Sequence, residues 1–267
     1  MVDHNDREGK DDKEKSPYFV IQSVDRTLNI LECFIREGRP LGVSEIARQL
    51  GLNRSAAHRF MMTLQMHGYL QQSRETEKYM VGPKAFELGA VYTNSTDLTV
   101  EGKKLLIELV GRTDCTAHLA ILDQGSVLYL VNVEPDQRAV LFGAVGQRAP
   151  FYRTGLGKSL TAWLPKEQLA ELLADCKFEK LTENTILSAE QYEQELERVR
   201  QDGYSMDREE SSIGMRCFAA PIRNRRNEVI AAISISGYGI AEDRSQEYAL
   251  AVMSSAAQLS RRLGMNI

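Results

Sequence analysis

Apolar residues in the first third of the chain recur every three or four positions over three short segments, which predicts three helices. The first covers residues 23–37, with Ser23 as its N-cap. The second starts at Ser44, another capping residue, and ends at Gly51, which turns the chain. The third follows Asn53, a further N-cap candidate. Two short helices joined by a tight turn are typical of a helix-turn-helix.

The third helix has one apolar side and one side rich in hydrogen-bond donors. Ala57, Phe60 and Leu64 gather on the apolar side. The donor side carries Arg54, Ser55, His58 and Arg59. Arginine bonds guanine through two hydrogen bonds, and serine and histidine donate to bases or phosphates. In this two-helix context, we interpret the donor side as a DNA-reading face rather than a solvated face that happens to hold two arginines.

Two short segments, residues 70–72 and 78–81, flank a polar turn and predict a β-hairpin after the third helix. Arg74 and Lys78 in this hairpin are candidates for phosphate contacts beside the groove. Glu75 and Glu77 dilute its charge, so an ordinary exposed hairpin fits equally well. The candidate DNA-contacting residues are therefore Ser44, Arg54, Ser55, His58, Arg59, Arg74 and Lys78.

The pattern changes after Gly82 and Pro83. Residues 84–92 predict a helix that is apolar on more than one side and packs on a partner chain or on its own domain. Beyond residue 96, segments with the helical spacing of apolar residues are interspersed with segments typical of strands. This grouping predicts an α+β domain with a mainly antiparallel sheet. The predicted helices are 97–113, 157–164, 166–174, 189–202 and 245–263, and the predicted strands are 117–122, 127–133, 139–144, 216–222 and 229–236.

Three features of this second region converge on a small-ligand site. Residues 154–158 open a helix with glycines, where exposed backbone N–H groups favour an anion such as a carboxylate. Ser234 and Ser236 alternate on one strand, so their hydroxyls share a face. Asp207 and Cys217 flank a loop, and the thiol there either lines a pocket or is a buried structural cysteine.

Composition narrows the class of protein. The chain has 267 residues, 43% of them hydrophobic, and no run of about 18 apolar residues that would cross a membrane. Residues 1–16 are polar and predict a disordered tail, not a secretory signal. The four cysteines lack a CxxC spacing, so we expect reduced thiols in the cytoplasm and no metal or other cofactor.

The net charge of −4 does not by itself suggest a DNA-binding protein. Residues 17–82, however, hold eight Lys/Arg against six Asp/Glu, a local balance of +2. Five of those eight cations lie in or beside the candidate DNA-reading elements. The placement of the cations, rather than their number, supports DNA binding.

Several segments together resemble the IclR family of bacterial transcription regulators, from about Ile21 to Gly264. The helix-turn-helix and hairpin carry part of this resemblance. The other segments are SVDRTLNIL (23–31), VGQRAP (145–150), TGLGK (154–158), LTENT (181–185), GYSMDREE (203–210), GMRCFAAP (214–221) and ISIS (233–236).

The resemblance implies an α+β protein with a winged helix-turn-helix domain (residues 17–82), a linker helix (83–96) and a GAF-like effector-binding domain (97–267). It implies a homodimer or homotetramer that binds double-stranded operator DNA, more often as a repressor. It also implies that the protein neither binds a membrane nor catalyses a reaction. The implied effector is an organic, sugar or aromatic acid. In family members that bind small carboxylates, the pocket uses the positions held here by Gly155, Leu156, Asp207, Cys217, Ser234 and Ser236.

The chain departs from the family pattern at three places. Ala56 stands where the family often has threonine, Phe151 and Tyr152 where it commonly has Leu-His, and Phe218 where it usually has an aliphatic residue. The first departure bears on the operator sequence and the others on the size of the ligand.

Two other functions compete with ligand-responsive regulation. An enzyme would use Cys217 as nucleophile, but His118 is the sole histidine of the second region and no orienting pair is evident. A ligand-free architectural DNA-binding protein would have no use for the convergent pocket.

Overall fold

The computed structural model describes residues 20–135 and 143–265, apart from the side chains of residues 93–95. Internal contacts divide the chain into two units, Met1–Val91 and Tyr92–Ile267. The predicted tail over residues 1–16 lies outside the described residues. Among those that are described, no helix is long and apolar enough to cross a membrane.

The first unit is a helix-turn-helix followed by a hairpin. Its core is a cluster of apolar side chains from the three helices and the hairpin, with Ile30, Met61 and Tyr79 at its centre. Leu41 bridges Tyr79 through two backbone hydrogen bonds of 2.9 Å and fixes the hairpin against the loop before the second helix. The elements are α1 (Gln22–Glu37), α2 (Val43–Gln49), α3 (Arg54–Met66), β1 (Leu70–Gln72), β2 (Tyr79–Val81) and α4 (Pro83–Ser95).

Two of the three predicted helix caps are wrong. α1 begins at Gln22 after Ile21, so Ser23 lies inside its first turn. Gly42 holds the N-cap position of α2, and Ser44 is the second residue of that helix. The Gly42 backbone N–H instead donates to Glu45 Oε2 over 2.7 Å. The carboxylate three residues on therefore satisfies the amide of the N-cap residue itself. The Glu45 N–H, which a capping serine would have accepted from, donates to the Gly42 carbonyl oxygen at 3.0 Å.

The third predicted cap is confirmed. Asn53 has an extended backbone, and its side-chain oxygen accepts a 2.7 Å hydrogen bond from the Ala56 N–H at the start of α3. Gly51 adopts a left-handed conformation (φ +61°) and makes the turn between α2 and α3. The predicted apolar side of α3 is confirmed, because Ala57 and Leu64 are buried in the core and Phe60 is half-buried against it. Met61, which is fully enclosed, also belongs to this side.

The second unit is built on a six-stranded sheet in the order β5-β4-β3-β8-β7-β6, and every pairing in it is antiparallel. The predicted antiparallel α+β architecture is confirmed. The strands are β3 (Thr116–Asp123), β4 (Ser126–Val133), β5 (Arg148–Pro150), β6 (Ser205–Arg208), β7 (Met215–Arg223) and β8 (Val229–Tyr238). The helices are α5 (Asp97–Thr113), α6 (Gly155–Thr161), α7 (Lys166–Ala174), α8 (Ala189–Asp202) and α9 (Ser245–Arg262).

Helices cover both faces of this sheet. α5 and α9 pack on one face, against Ile233 and Ile235 of the central strand β8. α6, α7 and α8 pack on the other face, which Ala232 shares. Alternation along β8 therefore places Ser234 on the α6 face, where the pattern of residues predicts it.

The two shortest strands of the sheet were not expected from the sequence. β5 and β6 have three and four residues, too few for a periodicity to show. The strand predicted over residues 139–144 falls mostly outside the described residues, and Gly143 and Ala144 are not in a strand.

We predict that Asn53→Ala destabilises α3 locally by about 1 kcal/mol, because the Ala56 amide loses its acceptor. Hydrogen exchange of peptides covering residues 54–66 of the full chain should accelerate about fivefold. Ser44→Ala is the matched control, because Ser44 is exposed and does not cap α2. Equal acceleration in both variants would contradict this assignment of the caps.

Candidate DNA-binding surface and ligand cavity

The predicted DNA-reading side of α3 faces solvent. Arg54, Ser55, His58 and Arg59 are all exposed, while Ala57 between them is buried. This division follows from the helical period, since one face packs against the core and the opposite face remains free. The sequence placed these four side chains correctly.

The arginines on this surface have no acidic partner. Across the described part of the chain, Arg54, Arg59 and Arg74 form neither an ion pair nor a side-chain hydrogen bond. By contrast, Arg39 on the same unit pairs with Glu37 at 2.9 Å and with Glu45 at 3.0 Å. Unpaired exposed guanidinium groups keep their full capacity to bind phosphate or a base edge.

One groove brings most of the predicted residues together. It has a volume of about 740 Å³ and lies between α2, α3 and the hairpin. Arg59 and Arg74 do not line it, and Lys78 is held 3.7 Å from Glu45. The predicted residues that line the groove are Ser44, Arg54, Ser55, His58 and Lys78.

In the second unit, a cavity of about 310 Å³ lies between the sheet and the start of α6. Every predicted ligand-binding residue lines it, on four separate elements of the chain. These residues are Gly155, Leu156, Asp207, Cys217, Ser234 and Ser236.

Strand register explains why these distant residues meet. Asp207 of β6 lies opposite Cys217 of β7, and Cys217 lies opposite Ser236 of β8. Directly paired residues in antiparallel strands point to the same face, so the three side chains form a row across the sheet. Ser234 lies two residues before Ser236 on β8 and shares that face.

Asp207 is buried with both carboxylate oxygens bonded. The Glu210 N–H donates to Oδ1 over 2.7 Å, and the Ser211 hydroxyl donates to Oδ2. Burial raises the pKa of Asp207, although these hydrogen bonds and Lys158 act against the rise. The hydrogen bonds hold the loop after β6 in place and leave the carboxylate as the acidic part of the cavity wall.

The thiol of Cys217 is unsuited to nucleophilic catalysis. Burial, together with the Asp207 charge, raises the pKa of the thiol to about 12, although Ser234 and the Gly155 backbone favour the thiolate. At neutral pH the thiol therefore stays protonated. His118 is a weak base there, because burial lowers its pKa to about 4, and its Nε2 is bonded to Ser236 Oγ at 3.1 Å rather than to the thiol.

Of the further residues that line the cavity, His118 and Arg153 were not predicted from the sequence as site residues. His118 of β3 is buried and lies opposite Ser234, and its ring meets Tyr129 edge-on with centroids 5.4 Å apart. Arg153 precedes α6, is half-buried, and makes no ion pair or hydrogen bond with any described residue. Alternation along β3 could have pointed to His118, whereas no sequence signal marks Arg153.

The glycines at the start of α6 have different roles. A Cβ on Gly157 would lie 2.0 Å from the Phe151 backbone oxygen, so only glycine fits there. A Cβ on Gly155 would lie 3.0 Å from Cys217 Sγ, inside the cavity wall. Gly157 therefore allows close packing of the backbone, and Gly155 allows the Cys217 thiol to approach the start of α6.

The family departures leave the cavity unchanged. Phe151 and Tyr152 are buried in the core on the α6 face, and Phe218 is buried in the core on the opposite face. None of the three lines the cavity. The expected effect of these aromatic residues on ligand size is therefore not supported.

A buried lysine joins the elements around the cavity. Lys158 of α6 is fully buried, and its Nζ lies 2.6 Å from Glu210 Oε1, 3.5 Å from Glu195 Oε1 and 2.7 Å from the Met206 oxygen. Burial raises the pKa of Glu210. Burial also acts to raise the pKa of Glu195, but Lys158 and Arg208 outweigh it and hold it below its ordinary value.

All four cysteines are free thiols, as expected. The described residues contain no group of three or more His, Cys, Asp or Glu side chains placed to hold a metal ion.

We predict that Lys158→Met lowers the stability of the second unit by about 3–5 kcal/mol, because Glu210 and Glu195 lose their buried counterion. Urea unfolding of the full chain measures the loss. Arg198→Met is the control. Arg198 also pairs with Glu195, but its side chain is 68% exposed, so we expect under about 1 kcal/mol. A loss for Lys158→Met as small as that of the control would refute the structural role of the buried lysine.

Known proteins match both units. The model of the IclR helix-turn-helix domain matches residues 23–74, and that of the bacterial transcriptional regulator IclR C-terminal domain matches residues 90–261. The HTH-type transcriptional regulator XynR of Escherichia coli is 38% identical over 81% of this chain and 86% of its own. The transcriptional repressor IclR of E. coli is 31% identical over 91% of this chain and 90% of its own.

A solved structure shares the fold at lower identity. The IclR homologue of Microbacterium hydrocarbonoxydans, complexed with 4-hydroxybenzoate, superposes with a TM-score of 0.80 and 21% identity over 90% of this chain and 98% of that chain. The family matches agree with the structure, which has an exposed donor face on α3 in the first unit and a cavity in the second. The chain belongs to the IclR family of ligand-responsive transcription regulators, DNA-binding proteins without enzymatic activity.

Proposed function

We propose that this regulator represses transcription by placing α3 in the major groove of operator DNA and that a small carboxylate in the cavity controls it. The DNA-binding part of this proposal rests on one observation: the hydrogen-bond donors of α3 are exposed and its arginines have no acidic partner. Hairpin residues Arg74 and Lys78 contact flanking phosphates, and Ser44 contacts the backbone from α2. The E. coli repressor supports the direction of regulation, because it matches over nearly the whole chain.

The case for a carboxylate rests on the charge of the cavity. Arg153 lines it with a guanidinium that no described acid neutralises. Gly155 and Leu156, at the first turn of α6, line the same space. Asp207 already uses both oxygens, so it does not require the cation. An anionic ligand group beside Arg153 completes this arrangement.

We also propose a homodimer or homotetramer in the cytoplasm. α1 exposes an apolar stripe that includes Ile21, Val24, Leu28 and Ile35, the last at 74%. α4 exposes Phe86 at 81%, along with Leu88 and Val91. Exposed apolar side chains on two helices exceed what a monomer ordinarily leaves in water, and a second copy of the chain would bury them.

In this mechanism the effector acts by differential binding. Ligand favours one arrangement of the effector domains across the dimer, and that arrangement changes the spacing of the two α3 helices. Half-sites on DNA must lie at integral helical turns, so a small change in spacing lowers operator affinity sharply.

We predict that Arg59→Ala weakens operator binding by at least about 1 kcal/mol, or about fivefold, since an unpaired charged contact to DNA is lost. Genomic fragments enriched by the purified chain supply the operator, and fluorescence anisotropy at fixed salt measures affinity. Arg226→Ala is the matched control, because Arg226 is exposed on the turn between β7 and β8 in the second unit. Equal affinities of the two variants would argue against α3 as the reading helix.

We predict that Arg153→Gln weakens binding of carboxylates at least tenfold. Thermal shift and the fluorescence of Trp163, the sole tryptophan, measure binding. Trp163 follows α6 and stacks under Arg223, whose guanidinium carbon lies 4.5 Å from the ring centroid. Arg148→Gln is the control, because Arg148 also lines the cavity but pairs with Asp123. The carboxylate assignment fails if both variants bind as tightly as the parent chain.

A further inference from the structure

Glu45 holds the charged end of the Lys78 side chain. Its Oε2 accepts the Gly42 N–H over 2.7 Å and lies 3.7 Å from Lys78 Nζ. Its Oε1 accepts a 3.0 Å hydrogen bond from Arg39 Nη1. Within the described part of the chain, Lys78 forms no other ion pair. Glu45 therefore joins α2, the loop before α2 and the hairpin beside the candidate DNA-binding groove.

The backbone around Lys78 is also fixed. The Lys78 carbonyl oxygen accepts the Ser73 N–H at 2.9 Å across the turn of the hairpin. The next residue, Tyr79, exchanges two backbone hydrogen bonds of 2.9 Å with Leu41. Since these bonds hold the backbone on both sides, the remaining freedom of Lys78 lies in its long side chain, and Glu45 restricts that freedom.

The role of this ion pair is not primarily to stabilise the fold. The side chains of Lys78 and Glu45 are 45% and 28% exposed, and ion pairs in contact with water contribute little to stability. Both Glu45 oxygens already accept a hydrogen bond, so a direct contact from Glu45 to a base would compete with them. The Gly42 N–H and Arg39, together with Lys78, lower the pKa of Glu45 to about 2, although desolvation opposes the shift. Glu45 is therefore a charged carboxylate at neutral pH.

The position of this carboxylate affects how Lys78 binds DNA. Glu45 and Lys78 line the same groove as the α3 donors Arg54, Ser55 and His58. A phosphate oxygen bound to Lys78 Nζ would lie within about 7 Å of Glu45 Oε2, since such hydrogen bonds are about 2.8 Å long. That distance is inside the Debye length of about 8 Å at physiological ionic strength, so the carboxylate repels the phosphate. Random DNA is bound through its phosphates alone, whereas operator DNA also makes base contacts that offset the repulsion.

We infer that Glu45 is a positioning residue that makes DNA binding selective, because it restricts Lys78 to the phosphates of DNA that is docked on α3. This inference rests on the proposed reading role of α3. Without Glu45, the flexible lysine side chain reaches phosphates of DNA in any register, and affinity for random DNA rises. Glu45 thus discriminates against wrong sequences by repulsion, not for the operator by a new attraction.

Glu45→Gln tests the inference in the full-length chain. The glutamine amide oxygen can still accept from the Gly42 N–H, so the start of α2 is kept while the charge is removed. Fluorescence anisotropy at several salt concentrations measures affinity for the operator fragment and for a random duplex of the same length. We expect affinity for the random duplex to rise about threefold or more, while its slope of log affinity against log salt concentration steepens by about one. Operator affinity should stay nearly constant, so the ratio of operator to random affinity falls about threefold.

Glu77→Gln is the matched control. Glu77 also lines the groove and is exposed, but its side chain forms no ion pair or hydrogen bond with any described residue. Its replacement changes the charge of the groove equally, and the affinity ratio should stay within about 1.5-fold of that of the parent chain. If Glu77→Gln lowers the ratio as far as Glu45→Gln does, general charge explains the effect and the positioning role is refuted.

A double-mutant cycle tests whether Glu45 acts through Lys78. In a Lys78→Gln background, Glu45→Gln should leave the affinity ratio nearly unchanged, because the side chain that it restrains is absent. An equal fall of the ratio with and without Lys78 overturns the inference. Equal losses of affinity for both duplexes in Glu45→Gln also overturn it, because they indicate a purely structural role.

The result for Arg59→Ala separates this inference from the proposed function. If that variant weakens operator binding and Glu45→Gln leaves the affinity ratio unchanged, α3 reads the DNA and the inference alone fails. If Arg59→Ala has no effect on operator binding, the proposed reading role of α3 fails and the inference fails with it.

Discussion

The architecture of the second unit depends on one buried cation. Lys158 lies at the centre of α6 with no solvent contact, and its charge is balanced by Glu210 and Glu195. An ammonium group in such a place is tolerated only where oppositely charged and polar groups surround it. Its three contacts come from β6, from α8 and from the loop after β6, so one side chain ties α6 to three other parts of the unit.

That position also creates the ligand cavity. The chain of contacts runs from Lys158 to the Glu210 side chain, and from the Glu210 N–H to Asp207 in the cavity wall. Thr182 and Thr185 hold the same loop by donating to the Glu209 and Glu210 carbonyl oxygens at 2.7 and 2.8 Å. The ion pairs lie behind the cavity rather than in it. The ion pairs of Lys158 hold the cavity wall in place, whereas Arg153, His118 and the two serines of β8 line the cavity itself.

Strong periodic patterns predicted most of the fold. α5 and α7 begin and end where the sequence places them, and the donor face of α3 is solvent-exposed as expected. Long amphipathic segments carry this information because packing repeats with the helical period. Short elements do not repeat. β5 and β6 form by pairing with neighbouring strands. The N-cap of α2 is Gly42, whose own amide donates to the Glu45 carboxylate, so no serine side chain marks the start of that helix.

The cavity was predictable only in part, for a related reason. The six predicted residues line it, yet four of them were selected by local chemistry that the family resemblance reinforced, and Gly155 and Leu156 by their place at a helix start. His118 and Arg153 gain their significance from what surrounds them. Strand register brings His118 to the cavity, and Arg153 has no acidic partner among the described residues because of where the chain turns into α6. The sequence neighbours of these two residues do not predict either condition, because both depend on the tertiary fold.

All seven residues of α6 are buried, and this has a consequence for how ligand preference can diversify. A helix enclosed on every side accepts few substitutions, since each side chain is fitted to fixed neighbours. The side chains of β3, β8 and the turn before α6 that line the cavity border it on one side, so fewer neighbours fix their size. New ligand specificities can therefore arise by substitution of those cavity-lining side chains, while α6 and its ion pairs stay unchanged.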